Sequence, residues 1–219
     1  MYRKLIMSLT PLLAVTAFAV IPAVAQALPR WEHCVKGKAT EEFKDSKCSV
    51  KAAGGGFIQQ LIPEGKANAE QVKTHGRLEL FVEALGQKIK CFTTDAGHVW
   101  NEGGVGKDEI TKFVNTQCIT EPKCSPVAVV AEKLPWQTEL FEEAGVIHDR
   151  VTGIQVKVAC GVILTPFSGT LTPLISTTNG SATFNKTTGF LKNPEGVPGE
   201  VTGVDEVEQE AGGAIRAHK

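Results

Sequence analysis

The sequence predicts an all-β fold, an antiparallel sandwich or barrel of about eight strands with a small disulfide-closed N-terminal unit. Three observations lead there. Segments of five to nine residues alternate apolar and polar side chains, the period-two pattern of a half-buried strand. Turn-forming Gly, Pro and Asn residues punctuate them at short intervals. Six cysteines are spread from position 34 to position 160 rather than gathered in tight pairs.

The N terminus is expected to be an address rather than part of the fold. Arg3 and Lys4 form a short basic region, Leu5 to Val24 is apolar, and Ala25-Gln26-Ala27 fits the small-x-small cleavage rule. Residues 1–27 are therefore read as a secretory signal peptide, with cleavage after Ala27. No Cys follows the apolar stretch, so no lipid anchor is expected, and no membrane anchor remains after cleavage. The expected location is secreted or extracellular, where an even number of cysteines reads as disulfides.

Residues 28–66 are expected to form the small N-terminal unit. Trp31, Cys34 and Cys48 bracket a charged loop, and a bridge between the two cysteines closes a short ring worth about 3 kcal/mol in the chain-entropy model. Gly54-Gly55-Gly56 lacks the Gly-Lys-Ser/Thr of a phosphate loop and is read as a turn or bulge. Lys66 to Gly76 is polar and is read as a linker or short helical turn.

The main domain is expected over residues 77–193. Leu78, Leu80 and Val82 share one face of a first strand, and Ile89 and Cys91 share one face of the next. A Gly-rich loop at 101–106 precedes a strand over 109–120. Trp136, Thr138 and Leu140 alternate cleanly, as do Ile154, Val156, Val158 and Cys160. Pro166 and Pro173 mark edges or breaks, and Asn179-Gly180 is a hairpin signal. Residues 194–219, Gly-rich and acidic, are read as a mobile tail or a weak last strand.

Six cysteines allow 15 pairings. The expectation is Cys34–Cys48, Cys118–Cys124 across a turn-like segment, and Cys91–Cys160 across the core between two apolar strand faces. If the strand at 109–120 lies beside Cys91 as a hairpin, Cys91 pairs with Cys118 or Cys124 instead. Zinc is not expected, because Cys118 and Cys124 are too widely spaced for a metal knuckle.

The segment Leu134-Pro-Trp-Gln-Thr-Glu-Leu140, the following Gly145 and Asp149-Arg150, and the strand ending in Cys160 carry a resemblance. So do Trp31, Cys34 and Cys48 followed by Gly-Gly-Gly-Phe. These features resemble uncharacterised secreted β-rich proteins of soil actinobacteria. The resemblance implies an exported fold and carries no known activity. The chain after Asn193 departs from that pattern.

Function classes divide on chemistry. The formal net charge of −1, with no clustered Lys/Arg, gives no nucleic-acid footprint. No nucleophile–base motif is present, and the five histidines are scattered. His148-Asp149-Arg150 is read as a solvated turn. Trp100 and His98, beside the Gly-rich loop, are the candidate ligand surface, with an envelope polymer or a protein as the candidate partner. The expected function is therefore a secreted, non-enzymatic structural or binding protein without cofactor or metal. The alternative is a hydrolase acting on an envelope polymer through carboxylates near Glu139 and Asp149, which needs two carboxyl groups about 5–9 Å apart in one pocket.

Overall fold

The computed structural model describes residues 27–40, 42–209 and 213–219. The signal peptide expected over residues 1–27 thus lies, but for Ala27, outside the described residues. β1 (Arg30–Lys36) and β2 (Phe57–Leu61) pair antiparallel. A 3-10 turn at Lys66–Asn68 leads into three long strands, β3 (Glu70–Val82), β4 (Gln87–Glu102) and β5 (Val105–Glu121). Next come β6 (Val127–Glu132), β7 (Trp136–Glu143), β8 (Val146–Asp149), β9 (Val151–Cys160) and β10 (Ile163–Leu171). Three short strands follow, β11 (Leu174–Ile175), β12 (Ala182–Phe184) and β13 (Phe190–Lys192). The chain ends with β14 (Pro198–Gln209) and β15 (Ile215–His218).

Among the described residues helix accounts for 3% and strand for 65%, and no helical layer covers the sheet there. The sheet buries its apolar face by closing on itself, into an antiparallel β-barrel. Four long neighbours, β14, β3, β4 and β5, form one wall. Toward one end, this wall continues through β6, β9, β10 and β13 and returns to β14. Toward the other end it continues through β7, β8, β11 and β12 and again returns to β14. The barrel is closed by ten antiparallel strands, and its far wall changes strands from one end to the other.

The interior holds two apolar clusters. The first gathers Leu80, Ile89, Ile154, Val156, Phe167 and Leu191, from β3, β4, β9, β10 and β13 of the circuit through β6, together with Trp136 from the start of β7. The second gathers Val72, Val99, Leu140, Ile147 and Ile175 beneath Trp31, Ile62, Ile215 and Ala217. Those last four belong to β1, β15 and the segment just after β2, so the three-stranded sheet β15-β1-β2 is a roof on the upper end. Asn101 pins it there: its side chain accepts from Trp31 N at 2.8 Å and donates to Trp31 O at 2.9 Å and Ile62 O at 2.6 Å.

Three expectations change and one is resolved. Residues 28–66 do carry the Cys34–Cys48 bridge, but they are not an appendage, because β15 from the other end of the chain completes their sheet. Of the two readings of residues 194–219, tail or last strand, the stretch Pro198–Gln209 is strand: β14 pairs with β3 from Glu200–Phe81 to Gln209–Val72 and closes the barrel. The barrel begins at Glu70 rather than at residue 77, because the polar run read as linker has its outward residues in water and Val72 and Thr74 turned inward.

The disulfides also differ. Cys91 pairs with Cys118, and Cys124 with Cys160. The cause is a β-bulge: Lys90 opposes Ile119 while Phe92 opposes Thr116, so β5 fits an extra residue, with Gln117 at φ 51°. That turns Cys118 to the same side as Cys91 on the neighbouring strand, with Cα atoms 4.1 Å apart. Cys160 ends β9 opposite Val127, which brings it to the segment entering β6 that carries Cys124. The expected bridges Cys91–Cys160 and Cys118–Cys124 therefore do not form; the hairpin alternative for Cys91 does.

Candidate functional site

The barrel interior changes character between its two apolar clusters. Following β4 inward from Ile89 and Cys91, every second residue gives Thr93, Asp95, Gly97 and Val99. On β3 the same rule gives Val72, Thr74, Gly76 and Leu78, and on β14 it gives Val201, Gly203, Asp205 and Val207. β5 contributes Asp108, and β8 contributes Asp149. Four aspartates thus line the barrel at one level.

On the long wall the carboxyls are held by threonines. Thr93 Oγ1 donates to Asp205 Oδ1 at 2.9 Å, and Thr74 Oγ1 donates to Asp95 Oδ2 at 2.8 Å. Asp205 reaches Thr93 across β3 only because residue 76 has no side chain: a Cβ at Gly76 would lie 2.1 Å from Asp205 Oδ1. The second oxygen of Asp95 and one oxygen each of Asp108 and Asp149 are buried and meet no hydrogen-bond partner. Asp95 is 7% exposed and Asp149 6%. Asp108 is less shielded as a whole, but its Oδ1 is buried.

Burial without counter-charge shifts these acids upward. Burial, then the neighbouring Asp205 charge, pushes Asp95 up to about 8, against the Thr74 hydrogen bond. Burial raises Asp205 to about 6, with the Thr93 hydrogen bond opposing. Burial raises Asp149 to about 7, with hydrogen bonds from Thr138 and the Glu139 backbone opposing. Asp108 is held well above the carboxylate range by burial and then by the charges of Asp149 and Glu109.

Two cavities meet at this layer. One of about 90 Å³ lies among Trp136, Ile154, Val156, Leu171, Phe113 and Leu191. The other, of about 70 Å³, lies under Trp31 and includes all four aspartates. Asp95, Asp205, Ile110, Val151 and Phe184 line both, so the two chambers abut. No Lys, Arg or His side chain lines either among the described residues. Among those residues, too, no three His, Cys, Asp or Glu side chains are grouped to hold a metal ion.

The residues singled out from the sequence lie elsewhere, with one exception. Trp100 is on the outer face of β4 and only 5% exposed; Lys66 Nζ covers its ring at 5.0 Å from the centroid. His98 shares that face, with Nδ1 3.4 Å from Glu109 Oε1, and Glu109 also accepts from Lys66 at 2.7 Å. The expected ligand surface is thus a closed polar patch on the barrel wall, its aromatic ring covered.

His148 and Arg150 point outward, His148 stacking on Phe141 at 5.2 Å and Arg150 lying over the same ring at 4.4 Å. Asp149, between them, points inward. Glu139 is outside, bonded to Lys107, on the opposite face of the wall from Asp149. Strand alternation therefore divides the expected Glu139/Asp149 pair, and Asp149 gathers instead with Asp95, Asp108 and Asp205. The signal for Asp95 was present in the sequence, as the continuation of the Ile89, Cys91, Thr93 alternation. The cysteines are all structural, paired as described above.

No protein-family model, curated protein or solved structure matches this chain. The resemblance to actinobacterial secreted proteins rests on its sequence features alone, and function has to be argued from the barrel.

Proposed function

We propose that this chain is an exported, non-enzymatic binding protein that holds a small molecule inside its barrel. The observation that carries the reading is the pair of abutting cavities, lined by carboxyl oxygens that meet no partner. A barrel of this girth normally fills its interior with side chains. Buried polar groups without partners cost about 1–3 kcal/mol each, so a position that keeps several has a use for them. Together the chambers are comparable to the cavity of about 150 Å³ that is known to admit benzene. Export is supported by the leader features at the N terminus and by three disulfides, which persist in oxidising compartments.

The carboxyl cluster around Asp149 also has the residue types of a glycoside hydrolase site. A polymer substrate, however, needs an open cleft. This chamber is walled by barrel strands and roofed by β15-β1-β2, which favours a ligand enclosed whole over a chain that must be threaded.

The test uses the exported, disulfide-intact protein. Intact-mass analysis should show a chain starting at Leu28. Toluene should enter the chamber, shifting the methyl resonances of Val156 and Leu171 and the emission of Trp136, and a screen of glycan, ester and peptide substrates should be blank. An uncleaved, membrane-retained chain would overturn export. Undisturbed methyls would overturn the chamber, and turnover abolished by Asp149→Asn would overturn the non-enzymatic reading.

A further inference from the structure

We infer that the ligand is a small organic cation, a primary ammonium on a compact apolar body, with its charged end at the aspartate layer. This rests on the chamber reading above and adds the chemical class. The argument starts from charge. Four carboxyls face one interior with no basic residue lining it among the described residues. An acidic cluster alone can be a set of protonated, mutually satisfied groups. Here, though, Asp95 and Asp149, each more than nine-tenths buried, present an oxygen that no side chain or backbone group meets, and both line the upper cavity. A site built for a neutral polar ligand would offer donors as well as acceptors. This layer is rich in acceptors: Thr74 and Thr93 already donate to Asp95 and Asp205, and the one further buried hydroxyl, Thr138, lies beside Asp149 and opposite Asp108, against four carboxyls.

The shape of the space selects the rest of the ligand. Below the aspartates the chamber is apolar, with Phe113, Trp136, Val156, Leu171 and Leu191 around it. An ammonium carries three donors and no acceptor, which matches unpartnered carboxylate oxygens, while an aromatic or short branched alkyl body fits the apolar chamber. The carboxyls do not converge as a group of three on one point, which a metal ion requires and an ammonium with diverging N–H bonds does not. Ligand binding and proton binding then compete for the same oxygens: the raised acids hold protons when the chamber lacks a cation, and lose them to solvent when one binds. The other charged groups near this layer are engaged on the outer face, His75 beside Glu206, Glu109 with Lys66 and Glu79 with Lys90.

The experiment measures binding of three probes to the exported, oxidised protein by calorimetry and by Trp136 emission: benzylammonium, toluene and benzoate. At about pH 8 benzylammonium should bind at least about ten-fold more tightly than toluene, and benzoate should not bind. At about pH 5, where the aspartates are protonated, that preference should collapse. Asp95→Asn and Asp205→Asn, which keep side-chain size, should each cut benzylammonium affinity about ten-fold or more relative to toluene affinity measured on the same variant. Toluene bound as tightly as benzylammonium would leave the chamber reading standing and overturn the ammonium. Neither probe binding overturns both. Benzylammonium binding that both variants leave intact, or that calcium displaces at equal concentration, overturns the assignment to this layer.

Discussion

Asn101 shows how a single side chain holds the roof on the barrel. It is 1% exposed at the upper end of β4, and its amide meets one donor and two acceptors of the roof backbone. Asn101→Ala would leave Trp31 N and Ile62 O without a partner; Trp31 O keeps its bond from Ile62 N. Buried orphans of this kind cost about 1–3 kcal/mol each, so the variant should lose about 2–6 kcal/mol in urea denaturation of the oxidised protein. Gly76 acts the opposite way, through the side chain it lacks. Gly76→Ala would press Asp205 Oδ1 and the Val204 carbonyl, both 2.1 Å from the new Cβ. It should cost about 1–3 kcal/mol and reduce benzylammonium binding more than toluene binding, because it moves Asp205 and not the apolar chamber. A variant as stable and as selective as the parent would show that Asp205 does not need the vacancy at residue 76.

At the level of strands, the bridges give the sharpest test. Non-reducing peptide maps should join Cys34 to Cys48, Cys91 to Cys118 and Cys124 to Cys160. Each closes a loop worth about 3–4 kcal/mol in the chain-entropy model, and replacing both members of the Cys91–Cys118 pair by Ser should lower stability by about that much. A Cys118–Cys124 peptide would refute the bulge that aligns β4 with β5. The same bulge explains what the sequence could and could not convey. Alternation is visible where the inward residues are apolar, as at Trp136, Thr138, Leu140 and Ile154, Val156, Val158, and those segments became β7 and β9. β14 is faint because its inward residues are Val201, Gly203, Asp205 and Val207, one of them a glycine that a Cβ would drive to 2.1 Å from Arg77 O and one an acid. The aspartate layer is thus not legible, and β14 reads no more strongly than as a weak last strand, for one reason: inward glycines and acids do not look like a core. Asp149 was picked out but given the wrong companions, because local pattern fixes which face a residue takes and not which strand lies beside it. The cysteine partners were misjudged likewise, since a single extra residue at Gln117 re-aims Cys118.

For the whole molecule, the aspartate layer should dictate how stability varies with pH. Asp95, Asp149 and Asp205 are raised to about 8, 7 and 6 in the fold, and Asp108 is raised as well, while in the unfolded chain such groups titrate near 3.8. The folded state therefore keeps protons that the unfolded state releases. Stability from this source is complete below about pH 4 and is lost as pH rises through about 6 to 8. Glu109 works in the opposite sense: the Lys66 hydrogen bond holds its carboxyl below the usual 4.5, so its contribution is lost only as pH falls through that lowered value. The unliganded protein should be most stable near about pH 4 and should weaken by a few kcal/mol toward about pH 8, a drop of several degrees in Tm. Asp95→Asn, which removes the most strongly raised of the three, should flatten that slope and melt higher than the parent at about pH 8. Benzylammonium should restore the lost stability most at about pH 8 and least at about pH 5, since a bound cation compensates the ionised layer as protons do in acid. Thermal melts across this range, with and without the probe, measure both effects together. A Tm that climbs from about pH 5 to about pH 8 without ligand would mean that the carboxyls are ionised and compensated within the fold, and the barrel would then have no call for a cation.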